Sequence, residues 1–393
     1  MASFFSAPPA SLPQAKPIAP NSQVRPLPGS SKSTPFCLQP AITISENTSE
    51  VFSVKFSPDG KFLAACCGDG AIRVFNSSTG RMAYNLQKGS SVALPSTAVK
   101  FRPDVLTVKT KNVLISADAL GNVEHWHMTS GKCLHTFKEE NNQVFAVDFR
   151  GDATQFATAG KDTCVRIYDE STKNEVTKME RGMGFGPQSA PGHSNRIFSI
   201  KFHPSDPNVL ISGGWDNTIQ IWDTRTGRAQ RSIFGPHLCG EALDIQDDTI
   251  LTGSHRADSP LELWDYGTGE KITSINLFAS ENSDPSQLYA CNFSKAGLKY
   301  TDKPKFIACG GSGGNEARVF DVANGNACVG VCRDFTRAVF STDWSPTEDK
   351  LAVAGGDASI KFINVVEKGE MDEAAVSDEN LRSGVGNLNI NNK

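Results

Sequence analysis

The 393 residues contain no apolar run long enough to cross a bilayer, and the N-terminal stretch has no secretory hydrophobic segment. Basic residues are not in surplus: the net charge is −4, so non-specific nucleic-acid binding is not expected. Ten cysteines are present, yet none forms a Cys-x-x-Cys pair, and the nearest approach, Cys328 and Cys332, has no ligand histidines beside it. Cys66, Cys67, Cys164 and Cys309 fall inside strand patterns, where a thiol acts as a small buried hydrophobe. That usage suits a reducing compartment, so a cytoplasmic or nuclear location is expected, with no membrane association.

Recognisable catalytic or cofactor machinery is also missing. Gly182-Met183-Gly184-Phe185-Gly186 has the glycines of a phosphate loop but no strand before it or helix after it, so it reads as a connecting loop. His125 and His127 flank Trp126 on one strand and lack a third ligand at suitable spacing, so no zinc site is expected. Residues 1–35 are rich in Pro and Ser, carry Lys16, Arg25 and Lys32, and have no acid before Glu46. They read as a disordered tail, with Pro17-Ile18-Ala19-Pro20 as a docking peptide or a transit sequence as alternatives; the prolines argue against a transit helix. Residues 367–393 hold six acids against three bases and read as an acidic, disordered tail.

Between the tails runs a repeat. Seven short apolar strands end in an aromatic anchor: Phe75, Trp126, Tyr168, Trp222, Trp264, Phe320 and Phe362. Three intervals, Trp126 to Tyr168, Trp222 to Trp264 and Phe320 to Phe362, are each 42 residues, and the other three are longer by an insertion. A fixed period of this size predicts an all-β, seven-bladed propeller of four-stranded antiparallel blades over residues 36–366. Blade four shows the plan: strands at 196–202, 209–213 and 218–222, a fourth ending near Ile233, and turns at His203-Pro204-Ser205-Asp206-Pro207, Trp215-Asp216-Asn217 and Thr226-Gly227.

On these residues the chain resembles the WD-repeat family of propellers. The resemblance implies that the segment Pro40–Ile44 supplies the outer strand that blade seven lacks, closing the ring. It also implies that His193, Ser212, Asp216 and Trp222 form the family's structural tetrad rather than a hydrolase triad. Other blades carry fragments: Thr158, Asp162 and Tyr168 in blade three, and Asp69 and Asp357 in blades one and seven. Blade two has Leu120 in place of the Asp and is expected to be looser. Finally, Trp222-Asp223-Thr224-Arg225 resembles the box by which some family members dock onto the adaptor of cullin-4 ubiquitin ligases.

The first strands share a second pattern. Val51-Phe52-Ser53-Val54-Lys55-Phe56 recurs in form at Val144, Ile197, Leu288 and Val339, with apolar residues at the first, fourth and sixth places. Alternation slips by one, which predicts a β-bulge near the second or third residue. In the family this second position rings the mouth of the central channel; here it holds Phe52, Thr97, Phe145, Phe198, Glu241, Tyr289 and Phe340. Aromatic walls with one carboxylate suit a cation, and Glu241, lacking any evident partner, favours recognition of an Arg- or Lys-bearing peptide. The alternative is that the aromatics plug the channel as extra core. The expected function is therefore a non-catalytic interaction scaffold, monomeric within a larger complex, that binds partner peptides at the channel mouth. A cullin-4-type substrate receptor docking through Trp222, Asp223 and Arg225 is the alternative.

Overall fold

In blade four, Ile197–Phe202, Val209–Gly214, Thr218–Asp223 and Arg228–Phe234 pair in that order as antiparallel strands. β-Branched and aromatic side chains fill the buried positions, while Asn217 and Gly227, both at positive φ, turn the chain. The structure, a computed structural model, describes residues 34–45, 47–87, 94–105, 110–182, 191–277, 286–296 and 304–368. Within them six further sheets repeat this plan. The first strands are Val51–Phe56, Ser96–Phe101, Val144–Phe149, Ile197–Phe202, Leu243–Gln246, Gln287–Phe293 and Val339–Trp344. Each packs against the first strands of both neighbouring blades, blade seven against blade one included, so the sheets close around a central channel. Residues 1–33 and 369–393 of the two tails, and the Gly-rich loop beyond Gly182, lie outside the described residues.

Blade seven takes three strands from the C-terminal end, the last being Ile360–Glu367, and its outer strand from Phe36–Ile44. Pairing runs from Phe36 opposite Glu367 to Ile44 opposite Ile360, with a bulge at Ala41. The closing strand is thus longer than Pro40–Ile44, because Cys37 and Leu38 continue the ladder before the bulge breaks alternation. Just outside it, Thr34 Oγ1 donates to Asp321 Oδ2 of blade six at 2.7 Å, and Lys368 N donates to Pro35 O at 2.8 Å.

Six first strands slip register by one residue, at Phe52, Thr97, Phe145, Phe198, Tyr289 and Phe340. The bulge falls on the second place. It needs close backbone approach: a Cβ on Gly160 or Gly214, opposite the bulge, would lie 1.9 or 2.0 Å from a carbonyl oxygen of the facing chain. Blade five has a four-residue first strand without a bulge, but Gly253 N donates to Ala242 O and extends the register, leaving Glu241 at the equivalent place. Pairing of Ile197 with Gly214, and of Phe202 with Leu210, puts the bulges and the second-to-third-strand turns on one face. The third-strand ends, such as Trp222-Asp223, lie at the other, opposite Leu210 and Val209.

Candidate partner-binding site

Blade four is held by a relay of buried polar groups. His193 Nδ1 lies 2.8 Å from Asp216 Oδ2, His193 Nε2 lies 2.7 Å from Ser212 Oγ, and Trp222 Nε1 donates to Ser212 Oγ at 2.7 Å. Burial opposes the charge on Asp216, but the hydrogen bonds from His193 and the Ser194 and Thr218 groups hold its carboxyl below the usual range. Blade three replaces histidine by Glu139, which accepts from Thr158 Oγ1 at 2.5 Å and Tyr168 OH at 3.0 Å and pairs with Arg166 at 3.1 Å. In blade two Asp118 takes over the turn that Leu120 cannot serve, accepting from Leu120 N and Asn122 N at 2.8 and 2.9 Å. The expected looseness is therefore not visible there, because an acid two residues earlier caps the same turn.

At the bulged ends of the first strands, Phe52, Thr97, Phe145, Phe198, Tyr289 and Phe340 are all half-buried, as is Glu241. Phe145 stacks on Phe198 with centroids 4.8 Å apart, and Phe52 on Phe340 at 5.7 Å; Tyr289 meets Phe340 edge-on at 5.5 Å. Thr97 is turned back, its hydroxyl 2.5 Å from Val144 O of the next blade. Three rings from turns, missed in the sequence, extend both groups. Trp215 lies 5.4 Å from Phe198, His237 lies nearly parallel to Trp215 at 6.4 Å, and His255 packs on Tyr289 at 4.8 Å. His255 N donates to His237 O at 2.8 Å, so the two groups meet at blade five, where the second position supplies no ring. The result is an arc of two ring groups, running from blade three round to blade one and joined at blade five through the backbone of the two histidines.

Glu241 does not complete that arc. It reaches across the channel, accepting from Ser53 Oγ at 2.8 Å, Lys55 Nζ at 2.6 Å and Ser341 Oγ at 3.0 Å. The expectation of an acid without a partner is thus overturned: the internal ammonium of Lys55 neutralises it. Gly240 permits the crossing, since a Cβ there would lie 2.3 Å from Tyr289 O.

Below the mouth six of the seven first strands carry a charge at the fifth place (Lys55, Lys100, Asp148, Lys201, Asp244 and Asp343), a regularity present in the sequence and not read from it; blade six has Asn292 there and supplies Lys295 from just beyond its strand. Lys55, Lys100, Lys201 and Lys295 face Glu241, Asp148, Asp244 and Asp343 at 2.6, 2.7, 3.8 and 2.5 Å respectively. Three of the carboxylates also accept a backbone N–H from the next blade: Phe202 to Asp148, Phe293 to Asp244 and Phe56 to Asp343, at 2.8–2.9 Å. Burial works against Asp148 and Asp343, yet neighbouring lysines outweigh it and keep both below the usual carboxylate range. Burial would likewise lower Lys201, but Asp244, Asp148, Glu241 and Asp343 together raise it.

On the opposite face Trp222 is fully buried, Asp223 is half-buried, and only Arg225 of the adaptor-like box is exposed, paired with Asp223 at 3.0 Å. A cavity of 340 Å³ lies beside it, walled by Val209, Ile221, Tyr266, Asp206 and Arg231. His125 is taken by Glu170 at 3.0 Å and His127 by Ser130 at 2.7 Å. Among the described residues, no three His, Cys, Asp or Glu are grouped to hold a metal ion, and no helix is long and apolar enough to cross a membrane.

The family pattern described as WD domain, G-beta repeat matches residues 38–76, 131–169 and 187–223. Among known proteins, the chain is 23% identical over 335 residues to the WD repeat-containing protein 89 homolog of Dictyostelium discoideum, covering 81% of this chain and 84% of that one. It is 23% identical to Cell division cycle 20.1, cofactor of APC complex, of Arabidopsis thaliana, over 60% of this chain. It is 25% identical to the guanine nucleotide-binding protein subunit beta of the same plant, over 58% of this chain. The match spans about half of the first of these two plant proteins, 49%, and 59% of the second.

Proposed function

The chain belongs to the WD-repeat family of seven-bladed propellers, and from that premise we propose that it is a non-catalytic scaffold taking a segment of a partner protein across its channel mouth. The observation that carries this reading is the arc of half-buried rings, which leaves apolar and ring-face surface open at one end of the channel. Ring faces accept aliphatic, aromatic or cationic side chains, an Arg or Lys adding about 0.5–2 kcal/mol at each desolvated ring. Glu241 adds no charge to that surface while Lys55 holds it. The relatives' names, a cofactor of one complex and a subunit of another, accord with a role inside an assembly. Work in the cytoplasm or nucleus as a monomer within such an assembly is part of the same reading, as are tails of residues 1–33 and 369–393 that contribute nothing to the propeller core.

The test is affinity purification with wild type and the Phe145→Ala/Phe198→Ala double variant in parallel. A discrete set of partners lost by the variant, at an unchanged melting temperature, supports the reading; an identical partner set overturns it. The exposed Arg225 beside the lower cavity favours a second reading, a substrate receptor of a cullin-4-type ligase. Recovery of ligase adaptor and cullin subunits, lost on Arg225→Ala, would mark that one.

A further inference from the structure

The two halves of the arc approach each other at blade five, where each ends in a histidine and the two histidines are joined through their backbones. His237 lies against Trp215, His255 lies against Tyr289, and His255 N donates to His237 O. All other rings of the arc keep one charge state through mildly acidic pH; these two do not. We propose that His237 and His255 form a pH-sensitive joint of the mouth, which holds the two halves of the arc together while both imidazoles are neutral and lets them part when they take up protons. The proposal rests on the mouth being the partner-binding face.

The surroundings set the sign. His237 lies against Trp215 and Asn217, with the charges of Arg256 and Asp216 acting on it; Cys239 accepts from Trp215 Nε1 at 2.9 Å, and His255 lies against Tyr289 with His237 acting on its charge. The acids nearest this cluster are already engaged: Asp216 by His193 at 2.8 Å, and Glu262 by Arg256 and Lys271 at 2.7 and 3.3 Å. Asp258, on the same turn as Arg256, is exposed. Cys239 stays a neutral thiol, burial pushing it up to about 11. Two new imidazolium charges would therefore sit against each other and against Arg256. Trp215 would attract a charged His237, but Arg196 already lies over its ring, 5.0 Å from the centroid.

Hydrogen bonds agree with a neutral resting state. His237 Nδ1 lies 2.7 Å from Asn217 Oδ1, so that nitrogen carries the proton in either charge state. His255 Nε2 lies 3.0 Å from Tyr289 OH, and in the neutral tautomer protonated at Nδ1 it accepts from that hydroxyl. On protonation Nε2 must donate, and the Tyr289 hydroxyl has to turn its O–H toward another acceptor. Burial, followed by Arg256 for His237 and by His237 for His255, holds both below the ordinary histidine value. Since the joined form lowers both values, it is fully present above about pH 6.5 and is lost as pH falls through the depressed ones. The two protons are coupled, the first opposing the second.

Imidazole NMR on the wild-type chain tests the joint directly. His237 and His255 are expected to titrate below free histidine, with the Trp215 indole resonance moving in the same pH range, and His237→Gln/His255→Gln should abolish that indole shift. An indole resonance indifferent to pH between 7.5 and 5, or histidines titrating at the free value, overturns the proposal. The set of proteins captured on immobilised chain at pH 7.5 is then stepped to pH 5.5. Release from wild type, falling about tenfold in affinity per pH unit for each proton linked, with retention by the double Gln variant, supports the gate. An indole that titrates without any release shows instead that partners bind away from the mouth.

Discussion

With 8% of its side chain exposed, Lys55 relies on Glu241, 2.6 Å away, for the solvation that water no longer gives its ammonium. Removing the acid should therefore cost stability rather than only partner affinity. Glu241→Gln is expected to lower unfolding free energy by about 3 kcal/mol, the low end for breaking a buried pair, because the amide oxygen still accepts from Ser53 or Ser341. Lys55→Met added to it should recover most of that loss, since a neutral channel filling replaces a stranded charge. Urea midpoints of the two single variants and the double one decide it: additive effects would show that the bridge is absent in solution. Ser212 is the other residue with a sharp expectation. It stands between His193 and Trp222, both buried, so Ser212→Ala or His193→Ala should each cost about 1–3 kcal/mol in a denaturant melt. Unshifted midpoints would mean that the relay contributes nothing. What made these two sites unequally legible is range. The tetrad residues lie within 29 positions of one another and repeat a known spacing, whereas Glu241 meets Lys55 from 186 positions away, across a channel whose diameter no local pattern encodes.

At the scale of elements, the strand Phe36–Ile44 is the one piece of the ring supplied from the opposite end of the chain. It buries Leu38 and Ile44, and its ladder covers the edge of Ile360–Glu367, which would otherwise stand open. Removing residues 1–46 is expected to lower the melting temperature by many degrees and to broaden the transition, while removing 1–33 should change it little. Equal melting curves for the two truncations would contradict closure by this strand. The strand's inner half alternates and could be picked out; its outer half could not, since Pro40 and the bulge at Ala41 hide the period. The bulges of the first strands were readable for the opposite reason, because the same slip recurs in blade after blade. The turns that place Trp215, His237 and His255 have no such recurrence, and their rings join the arc only through the folded ring of blades.

For the whole molecule, the channel holds a neutral set in which four lysines face four carboxylates: three pairs join successive blades, and Lys55–Glu241 crosses the channel. Three of those carboxylates also hold the backbone of the next blade, so protonating them removes both a counter-charge and a stitch between blades. Asp148 and Asp343 have folded-state values below the usual one. By linkage, the stability they supply is complete above about pH 4 and drains away as pH falls through the depressed values. The propeller should accordingly keep its melting temperature down to about pH 4 and lose it steeply below, as unneutralised ammonium groups gather in one channel. Lys100→Met tests the origin of that edge. It deprives Asp148 of the cation 2.7 Å away, so Asp148 should take up its proton at a higher pH, and the acid limb of a melting-temperature-against-pH curve should shift upward. An acid limb unmoved by Lys100→Met, with a lower plateau at neutral pH, would mean that the ring's acid sensitivity lies in carboxylates outside the channel.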